Sequence, residues 1–277
     1  MLGPWWWRCC WGHSAWPWWW AWSGCSSALA WPRWVAELLG QDLADVELVF
    51  CDSWLLALAK PSGLLSQPGL GPELADSLIS RAQRRWPEAR LVHRLDRDTS
   101  GLILLARDAD THRLLSGAFA DRRVHKTYLA RVQGVPAARG GLIDQPLARL
   151  ATRPPRYGVV PVAAGGKPAL TRWRRLDPCR SGSTLLLQPH TGRSHQLRVH
   201  LAWLGHPVLG DPLYGDPASA PRLLLHAAGL RLRHPVTGAP LRLRCAGHWG
   251  NFGSPLDGPP PFKPASPEPL SSKPCCR

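Results

Sequence analysis

The 277-residue sequence lacks the features that identify membrane proteins and disulfide-stabilised proteins. No hydrophobic run reaches about 18 residues without interruption by Pro, Gly or a charged residue, so the sequence predicts no membrane helix. Its eight cysteines include no Cys-x-x-Cys pair, and five of them lie in the terminal segments. Scattered cysteines of this kind are typical of a reduced cytoplasmic protein. We therefore expect a cytoplasmic protein without a membrane anchor.

Acidic residues are also scarce: 19 Asp and Glu face 34 Lys and Arg, which gives a net charge of +15. Such an excess suggests a polyanionic partner, because neutralisation of phosphates dominates affinity for nucleic acids. Most of the basic residues are Arg, whose planar group binds phosphates and stacks on bases. A GC-rich genome would also enrich Arg, so charge alone gives modest support. The absence of clustered acidic ligands argues against a metal-dependent nuclease or hydrolase.

The two ends of the chain differ in composition from its centre. Residues 1–34 hold eleven of the sixteen tryptophans and no acidic residue, and they show no packing period. They also lack the apolar centre and cleavage site of a signal peptide. We expect residues 1–45 to lie outside the fold, as a stretch translated from too early a start codon or as a targeting segment. Residues 46–250 should form the folded domain, and the Pro-rich residues 251–277 should be disordered.

The hydrophobic pattern of the central region predicts more strands than helices. Helices are expected over residues 75–86, 111–120 and 194–204, the last with Ser194 as its cap and Gly205 at its end. Residues 140–157 are expected to be rich in loops. Strands are expected over residues 46–51, 55–59, 91–106 with a polar interruption, 126–134, 171–176, 184–188, 223–226, 230–233 and 241–245. Because many of these strands are linked as hairpins, we expect a mixed α+β fold around a largely antiparallel sheet.

The most informative segment runs from Leu91 to Arg107. Polar residues from His93 to Ser100 follow an apolar approach, and a strand-length apolar run begins after Gly101. Polar residues in such a position lie at the mouth of a core, where a rigid scaffold presents them to a ligand. Asp96 stands between two arginines in an apolar frame, a combination typical of a tuned catalytic carboxylate. Turn bonds and surface ion pairs would explain the same pattern.

Four segments, taken together, resemble the RluA-type pseudouridine synthase family. Residues 93–106 (HRLDRDTSGLILLA) are similar to its catalytic motif, residues 59–65 (AKPSGLL) to its first motif, and residues 126–130 (KTYLA) to its tyrosine motif. Residues 191–200 (TGRSHQLRVH) with 204–211 (LGHPVLGD) are similar to its third motif. They stand in the family's order and cover roughly residues 46–249.

This resemblance implies a curved sheet with a central active-site cleft and an RNA pseudouridine synthase that isomerises uridines in structured RNA. It favours the short members of the family, which have no N-terminal RNA-binding domain and act on a tRNA anticodon stem-loop, on 23S rRNA or on both. No obligate protein partner is evident. A non-catalytic RNA-binding protein that kept the fold is the alternative, although RNA binding alone does not require Asp96.

The resemblance also implies roles for individual residues. Asp96 would be the catalytic carboxylate, and Arg198 would hold it through two parallel hydrogen bonds. Tyr128 would pack on the target base. From the local pattern alone, Arg198 could be a surface residue and Tyr128 a core residue. The target uridine must leave its stack, and Arg94 would enter the vacated space.

Further basic residues are expected to contact phosphates. These are Lys60, Arg149, Arg153, Arg156 and Arg193. No metal site is expected, because the spacings of His190, His195, His200 and His206 place successive members on different sides of a helix. Hydrogen bonding within the fold is the expected role of these histidines. No cofactor is expected either, since the isomerisation transfers no electrons and carries in no group.

Overall fold

The computed structural model describes residues 46–152, 154–179 and 182–246. The predictions for residues 1–45 and 251–277 therefore lie outside the described residues. Within the described ranges the chain forms twelve strands, three α-helices and three short 3-10 helices. The strands are β1 (Glu47–Cys51), β2 (Leu55–Lys60), β3 (Arg90–Leu91), β4 (Ser100–Ala106), β5 (His125–Val132), β6 (Gly140–Asp144), β7 (Leu147–Thr152), β8 (Pro155–Val159), β9 (Leu170–Cys179), β10 (Gly182–Pro189), β11 (Leu225–Arg233) and β12 (Pro240–Arg244). The α-helices are α1 (Leu78–Arg85), α2 (Ala109–Ala120) and α3 (Gln196–Trp203), and the 3-10 helices are Pro72–Leu74, Val162–Ala164 and Pro217–Ser219.

Ten of these strands form one sheet. Its order is β1-β2-β4-β11-β5-β10-β9-β6, with β3 paired to β4 and β12 paired to β11. Strands β7 and β8 form a separate two-stranded sheet. Among the described pairs, β4 and β11 run parallel and all the others run antiparallel. The prediction of a mixed α+β fold with a largely antiparallel sheet is confirmed.

The parallel pairing of β4 with β11 depends on a glycine. Gly101 has a φ of 113°, and a Cβ atom at this position would lie 2.4 Å from the carbonyl oxygen of Ala227. Ala227 pairs with Gly101 on one side and with Tyr128 of β5 on the other. The close approach at Gly101 therefore brings the polar segment that precedes β4 near the strand that carries Tyr128.

The main core occupies both faces of the sheet. Leu56 and Leu58 of β2 pack with α1 on one face, and Leu55 and Ala57 pack with Leu115 of α2 on the other. This alternation is the two-residue period of a strand that is buried on both sides. A third cluster forms where Leu197 and Leu201 of α3 pack on β5, β9 and β10. The three helices thus cover the sheet on either side of the parallel strand pair β4–β11.

Two parts of the predicted secondary structure are wrong. Residues 140–157, expected to be rich in loops, contain β6, β7 and part of β8. Their exposed side chains lack the apolar alternation of a half-buried strand, so strand pairing and not burial defines them. The strands predicted over residues 223–226 and 230–233 are a single strand, β11 (Leu225–Arg233), because Ala227 and Gly229 both pair with β5 and only the register shifts between them.

The start of helix α3 also differs from the prediction. The helix begins at Gln196, and its N-cap is His195, with a left-handed φ of 54° and no capping hydrogen bond from its side chain. Ser194 is therefore not the cap. The side-chain oxygen of Gln196 instead accepts hydrogen bonds from the Thr191 hydroxyl at 2.7 Å and from the backbone N–H of Arg193 at 3.0 Å. Gly205 follows the helix end at a φ of 85°, as predicted.

Candidate active site

A cavity of about 830 Å³ opens beside the parallel strand pair β4–β11. Asp96, Tyr128 and Arg198, the three predicted catalytic residues, all line it. They come from the loop before β4, from β5 and from α3, so the fold brings together residues that are up to 102 positions apart. The same cavity is lined by Arg94, Arg149 and Arg193, three of the residues expected to contact RNA.

The loop that carries Asp96 is held by the segment that follows β2. The Ser66 hydroxyl donates to the carbonyl oxygen of Leu95 at 2.8 Å and accepts from the Leu95 backbone N–H at 3.1 Å. Gly63 donates its N–H to the carbonyl oxygen of Arg97 at 3.0 Å. Within the loop, the Thr99 N–H donates to the carbonyl oxygen of Asp96 at 3.1 Å. Asp96 is therefore fixed from both sides, while its side chain stays half-buried at the cavity.

Lys60 belongs to this scaffold and not to the RNA-facing surface. It is 1% exposed, and its Nζ donates to the carbonyl oxygens of Pro61 at 2.8 Å, Leu64 at 2.7 Å and Arg97 at 2.8 Å. Burial lowers the pKa of Lys60 to about 8, against the opposing effect of the negative charges of Asp98 and Asp96. The prediction that Lys60 contacts phosphate is wrong, because all three of its N–H groups are used inside the protein.

Arg198 is buried and pairs with a carboxylate other than the predicted one. Its Nε donates to Oδ2 of Asp211 at 2.8 Å, and its Nη2 donates to Oδ1 at 2.6 Å. Arg198 is 2% exposed and Asp211 is fully buried. The expected two-bond pair between Arg198 and Asp96 is therefore wrong. Burial opposes the charged form of Arg198, but Asp211 and the more distant charge of Asp96 outweigh it and raise the pKa of the guanidinium.

The face of the Arg198 guanidinium lies over an aromatic ring. Its Cζ is 5.1 Å from the ring centroid of Tyr214, a distance typical of a cation–π contact. The Tyr214 hydroxyl accepts a hydrogen bond from the Tyr157 N–H at 2.9 Å and lies 2.8 Å from Nδ1 of His195. Burial lowers the pKa of His195, with Arg198 acting in the same direction and Asp96 against it. These contacts connect α3, the loop after Asp211 and strand β8.

Tyr128 lies where the first and third core clusters meet. Burial and the negative charge of Asp96 raise the pKa of Tyr128 above its usual value, so its phenol stays neutral. Near it, burial together with the charge of Lys126 lowers the pKa of His93 to about 3. The neutral His93 accepts the Leu104 N–H at its Nε2 (3.0 Å) and stacks on Phe119 at 4.5 Å between ring centroids. The two rings of Tyr128 and His93 are therefore neutral, while Lys126, which lines the same cavity, places a positive charge near them.

The predicted RNA-binding arginines divide into three groups. Arg94, Arg149 and Arg193 are exposed side chains at the cavity. Arg156 is exposed but does not line the cavity, and its Nη2 donates to the carbonyl oxygen of Leu213 at 2.7 Å. Arg153 lies outside the described residues. The first group is therefore placed to meet a polyanion that enters the cavity.

Comparison with known proteins identifies the family. The family model described as RNA pseudouridylate synthase matches residues 55–203. The dual-specificity RNA pseudouridine synthase RluA of Yersinia pestis is 44% identical over 202 residues, which cover 72% of this chain and 97% of that protein. The protein of the same name from Escherichia coli strain K12 is 44% identical over 195 residues, 69% of this chain and 88% of that protein. The chain belongs to the RNA pseudouridine synthase family.

Solved structures agree with this assignment. Human RNA Pseudouridylate Synthase Domain Containing 1 matches with a TM-score of 0.62 and 29% identity, over 73% of this chain and 83% of that one. Human RNA Pseudouridylate Synthase Domain Containing 4 matches with a TM-score of 0.60 and 28% identity, over 76% and 92%. The synthase thus has the α+β pseudouridine synthase fold that the sequence motifs implied, and the enzymatic interpretation is supported over the non-catalytic alternative.

Three of the four histidines considered as metal ligands, His195, His200 and His206, make side-chain hydrogen bonds within the fold. His200 contacts the Thr171 hydroxyl at 2.9 Å and the carbonyl oxygen of Gln145 at 3.0 Å, and His206 contacts the carbonyl oxygen of Gln133 at 2.9 Å. In residues 46–152, 154–179 and 182–246, no three side chains of His, Cys, Asp or Glu come together as metal ligands. None of the helices in this part of the chain is long and apolar enough to cross a membrane.

Sequence reasoning missed several residues of the site. Asp211 and Tyr214 were assigned no role, and His195 was expected only to make hydrogen bonds within the fold. Lys126 and Arg122 also line the cavity of the synthase, and the Nζ of Lys126 donates to the carbonyl oxygen of Thr191 at 3.1 Å. The sequence offered one signal for Asp211, since it is one of only 19 acidic residues and directly follows a glycine, Gly210.

Proposed function

We propose that the chain isomerises specific uridines in structured RNA to pseudouridine with Asp96 as the central catalytic group. The observation that carries this proposal is the position of Asp96 in one cavity with Tyr128 and Arg198, in a strongly basic protein. The reaction breaks the bond from N1 of uracil to C1′ of the sugar and forms a bond from C5 to C1′. The proton on C5 then leaves to solvent and N1 takes up a proton from solvent, so that the product is an isomer of the starting uridine.

The geometry supports distinct roles for the residues of the cavity. The Asp96 carboxylate acts on the sugar or on the base, a role that requires its ionised form and a free oxygen lone pair. Tyr128, held neutral by burial and by the charge of Asp96, supplies a flat apolar face for the uracil. Exposed Arg94, two residues before Asp96, enters the space that the flipped uridine leaves. No step among these calls for a redox cofactor.

We propose that both a tRNA anticodon stem-loop and 23S rRNA are substrates, modified in the cytoplasm. Support for two substrates comes from the 44% identity to relatives whose name describes them as dual-specificity enzymes. Exposed Arg94, Arg149 and Arg193 at the cavity fit recognition of the RNA backbone, which depends on phosphates and not on base sequence. For the cytoplasm, support comes from Cys51 and Cys245, which are free thiols in the described part of the chain.

A tritium-release assay tests the catalytic proposal. RNA labelled with tritium at C5 of uridine is incubated with the wild type, with Asp96→Asn and with the control Asp98→Asn, whose residue does not line the cavity. Asp96→Asn should lose more than about a thousandfold of the turnover and keep RNA affinity, because it removes the charge and keeps the shape. Asp98→Asn should retain turnover.

Three results would contradict parts of this proposal. Wild-type protein that binds the RNA but releases no tritium would favour the non-catalytic alternative. Residual turnover of Asp96→Asn above about a thousandth of the wild-type value would make Asp96 an auxiliary group. Pseudouridine mapping in tRNA and rRNA from cells with and without the gene tests the substrates, and a difference confined to one RNA class would overturn dual specificity.

A further inference from the structure

Two carboxylates, Asp96 and Asp211, influence Arg198, and only Asp211 accepts a pair of parallel hydrogen bonds from its guanidinium. Asp211 takes the Nε–Nη2 edge of the guanidinium at 2.8 and 2.6 Å. Asp96 lines the same cavity as Arg198, and its negative charge contributes to the raised pKa of the guanidinium. Among the described residues, none accepts a hydrogen bond from Nη1 of Arg198. Arg198 can therefore donate a hydrogen bond to Asp96 from Nη1, but not a pair of parallel bonds from Nε and Nη2.

We propose that Asp211 is a positioning residue that keeps Arg198 from clamping both oxygens of Asp96. This inference rests on the proposed catalytic role of Asp96. A carboxylate bound by both arms of a guanidinium has its lone pairs engaged and its charge neutralised, which makes it a poor nucleophile and a poor base. Asp211 accepts the hydrogen bonds of both Nε and Nη2 of Arg198, so Asp96 keeps an oxygen free for the sugar or the base.

Asp211 is itself held so that it cannot follow Arg198 toward the cavity. Its Oδ1 also accepts the backbone N–H groups of Leu213 at 2.9 Å and Tyr214 at 3.1 Å. Asp211 is fully buried, and its own N–H donates to the carbonyl oxygen of Val208 at 3.3 Å. With four hydrogen bonds to one carboxylate, the orientation of Asp211 is fixed.

The guanidinium of Arg198 is restrained on its face as well as at its edge. The Tyr214 ring, 5.1 Å from Cζ, covers one side of the plane, and Tyr214 is anchored through its hydroxyl to the Tyr157 N–H at 2.9 Å. Rotation of the fork toward Asp96 would therefore break two charge-assisted hydrogen bonds and the contact with the ring. Loss of the Asp211 charge removes the first of these restraints.

A buried ion pair that serves only stability would predict different behaviour. Buried pairs contribute little net stability, and breaking one by removal of a partner destabilises a fold without any specific effect on a neighbouring catalytic group. The proposal instead requires that Asp211 changes the chemistry of Asp96 in protein that remains folded. The experiment must therefore measure the titration of the Asp96 carboxyl group and the rate of the reaction in folded protein.

The experiment compares wild type, Asp211→Asn, Asp211→Glu and Asp98→Asn in the full-length protein. Single-turnover tritium release is measured against pH, and the carboxyl carbon of Asp96 is titrated by ¹³C NMR in protein without RNA. Asp98→Asn is the matched control for charge, because it removes a nearby negative charge without touching Arg198. The charge of Asp96 acts on Lys60, Tyr128, His195, Arg198 and Tyr214. The other charged groups of its own loop are Arg94, Arg97 and Asp98.

Asp211→Asn should reduce the rate on the high-pH plateau by at least about tenfold, because Arg198 turns its fork to Asp96. The NMR titration midpoint of Asp96 and the acid limb of the rate profile should both move to lower pH. RNA affinity should stay unchanged. Asp211→Glu should recover most of the plateau rate, and Asp98→Asn should shift the midpoint without lowering the plateau.

A wild-type plateau in Asp211→Asn would overturn the proposal, and so would a reduced plateau with an unmoved Asp96 titration. If Asp211→Asn does not fold, the double variant Arg198→Met/Asp211→Leu removes both members of the pair. Its plateau and midpoint should equal those of Arg198→Met, and a slower double variant would show that Asp211 acts independently of Arg198. If Asp96→Asn keeps turnover, the proposed function fails, whereas the NMR titration still tests the effect of Asp211 on Asp96.

Discussion

The Nζ of Lys60 lies 2.8 Å from the carbonyl oxygen of Arg97, the residue that follows Asp96. Together with the bonds to the carbonyl oxygens of Pro61 and Leu64, this contact ties the end of β2 to the loop that carries Asp96. Lys60, which the sequence predicted to contact RNA, therefore links two segments inside the protein. Its position has a consequence for how stability depends on pH.

The stability of the fold should rise with pH through the titration of Lys60. Its pKa is about 8 in the folded protein, against 10.5 for a lysine exposed to water in the unfolded chain. Between these values the folded state has released the proton and the unfolded state retains it, so the unfolding free energy increases with pH. The increase due to Lys60 should approach roughly 3 kcal/mol by pH 10.5.

Urea unfolding of wild type and Lys60→Met at about pH 7 and about pH 10 measures this contribution. The stability difference between the two proteins should shift in favour of wild type at the higher pH. Other titrating groups are common to both proteins and cancel. Lys167→Met, at an exposed lysine, is the control and should show no such shift. A pH-independent difference for Lys60→Met would mean that Lys60 keeps its proton throughout this range.

Gly101→Ala should destabilise the protein by several kcal/mol. Its φ of 113° disfavours any side chain, and a Cβ atom would lie 2.4 and 2.6 Å from the backbone oxygen and nitrogen of Ala227. Gly117→Ala is the matched control, because a Cβ atom there meets nothing within 4 Å in helix α2. The control should gain about 0.5–1 kcal/mol from helix propensity. Thermal unfolding of both variants tests the pair, and equal melting temperatures would contradict the close approach of β4 and β11.

Much of the fold and of the site could be predicted from the sequence, and the failures have identifiable causes. The strands of the core were found because Leu55 to Leu58 and Leu102 to Leu105 are buried on both faces and form continuous apolar runs. Asp96, Tyr128 and Arg198 were found through motifs, and the cavity brings them together as expected. Strands β6 to β8 were missed because their pairing is not accompanied by apolar alternation.

The incorrect predictions within the site concern partners and not positions. The three acceptors of Lys60 are backbone carbonyls, which every residue possesses and no sequence pattern reveals. Arg198 and Asp211 are 13 residues apart, and only the turn after Gly210 brings the carboxylate to the helix. A motif therefore identified the arginine, while the choice between two nearby carboxylates depended on tertiary structure.

The synthase should be fully active in EDTA without an added cofactor. The isomerisation is redox-neutral, and the histidines of the third motif are engaged in hydrogen bonds such as those of His200 to Thr171 and Gln145. Tritium release by purified protein, assayed before and after chelation, checks this expectation. Activity lost on chelation and restored by zinc would show that a metal takes part.

Replacement of cavity arginines should separate RNA binding from catalysis. Arg149 and Arg193 are exposed at the cavity, whereas Arg198 is 2% exposed and paired with Asp211. If the first two contact phosphates, Arg149→Gln and Arg193→Gln should each weaken RNA binding. Each should also make the slope of log affinity against log salt shallower by roughly 0.7–0.9, the value expected for one phosphate contact.

Arg198→Lys should show the opposite pattern, since an ammonium cannot reproduce the two parallel bonds to Asp211 and supplies only a point charge. Its single-turnover rate should fall, while its RNA affinity and salt slope stay at the wild-type values. Binding of one RNA stem-loop at several salt concentrations, combined with tritium release, measures both quantities for all three variants. A lysine variant with wild-type turnover and a shallower salt slope would instead place Arg198 on the RNA-binding surface, a result at odds with its burial against Asp211.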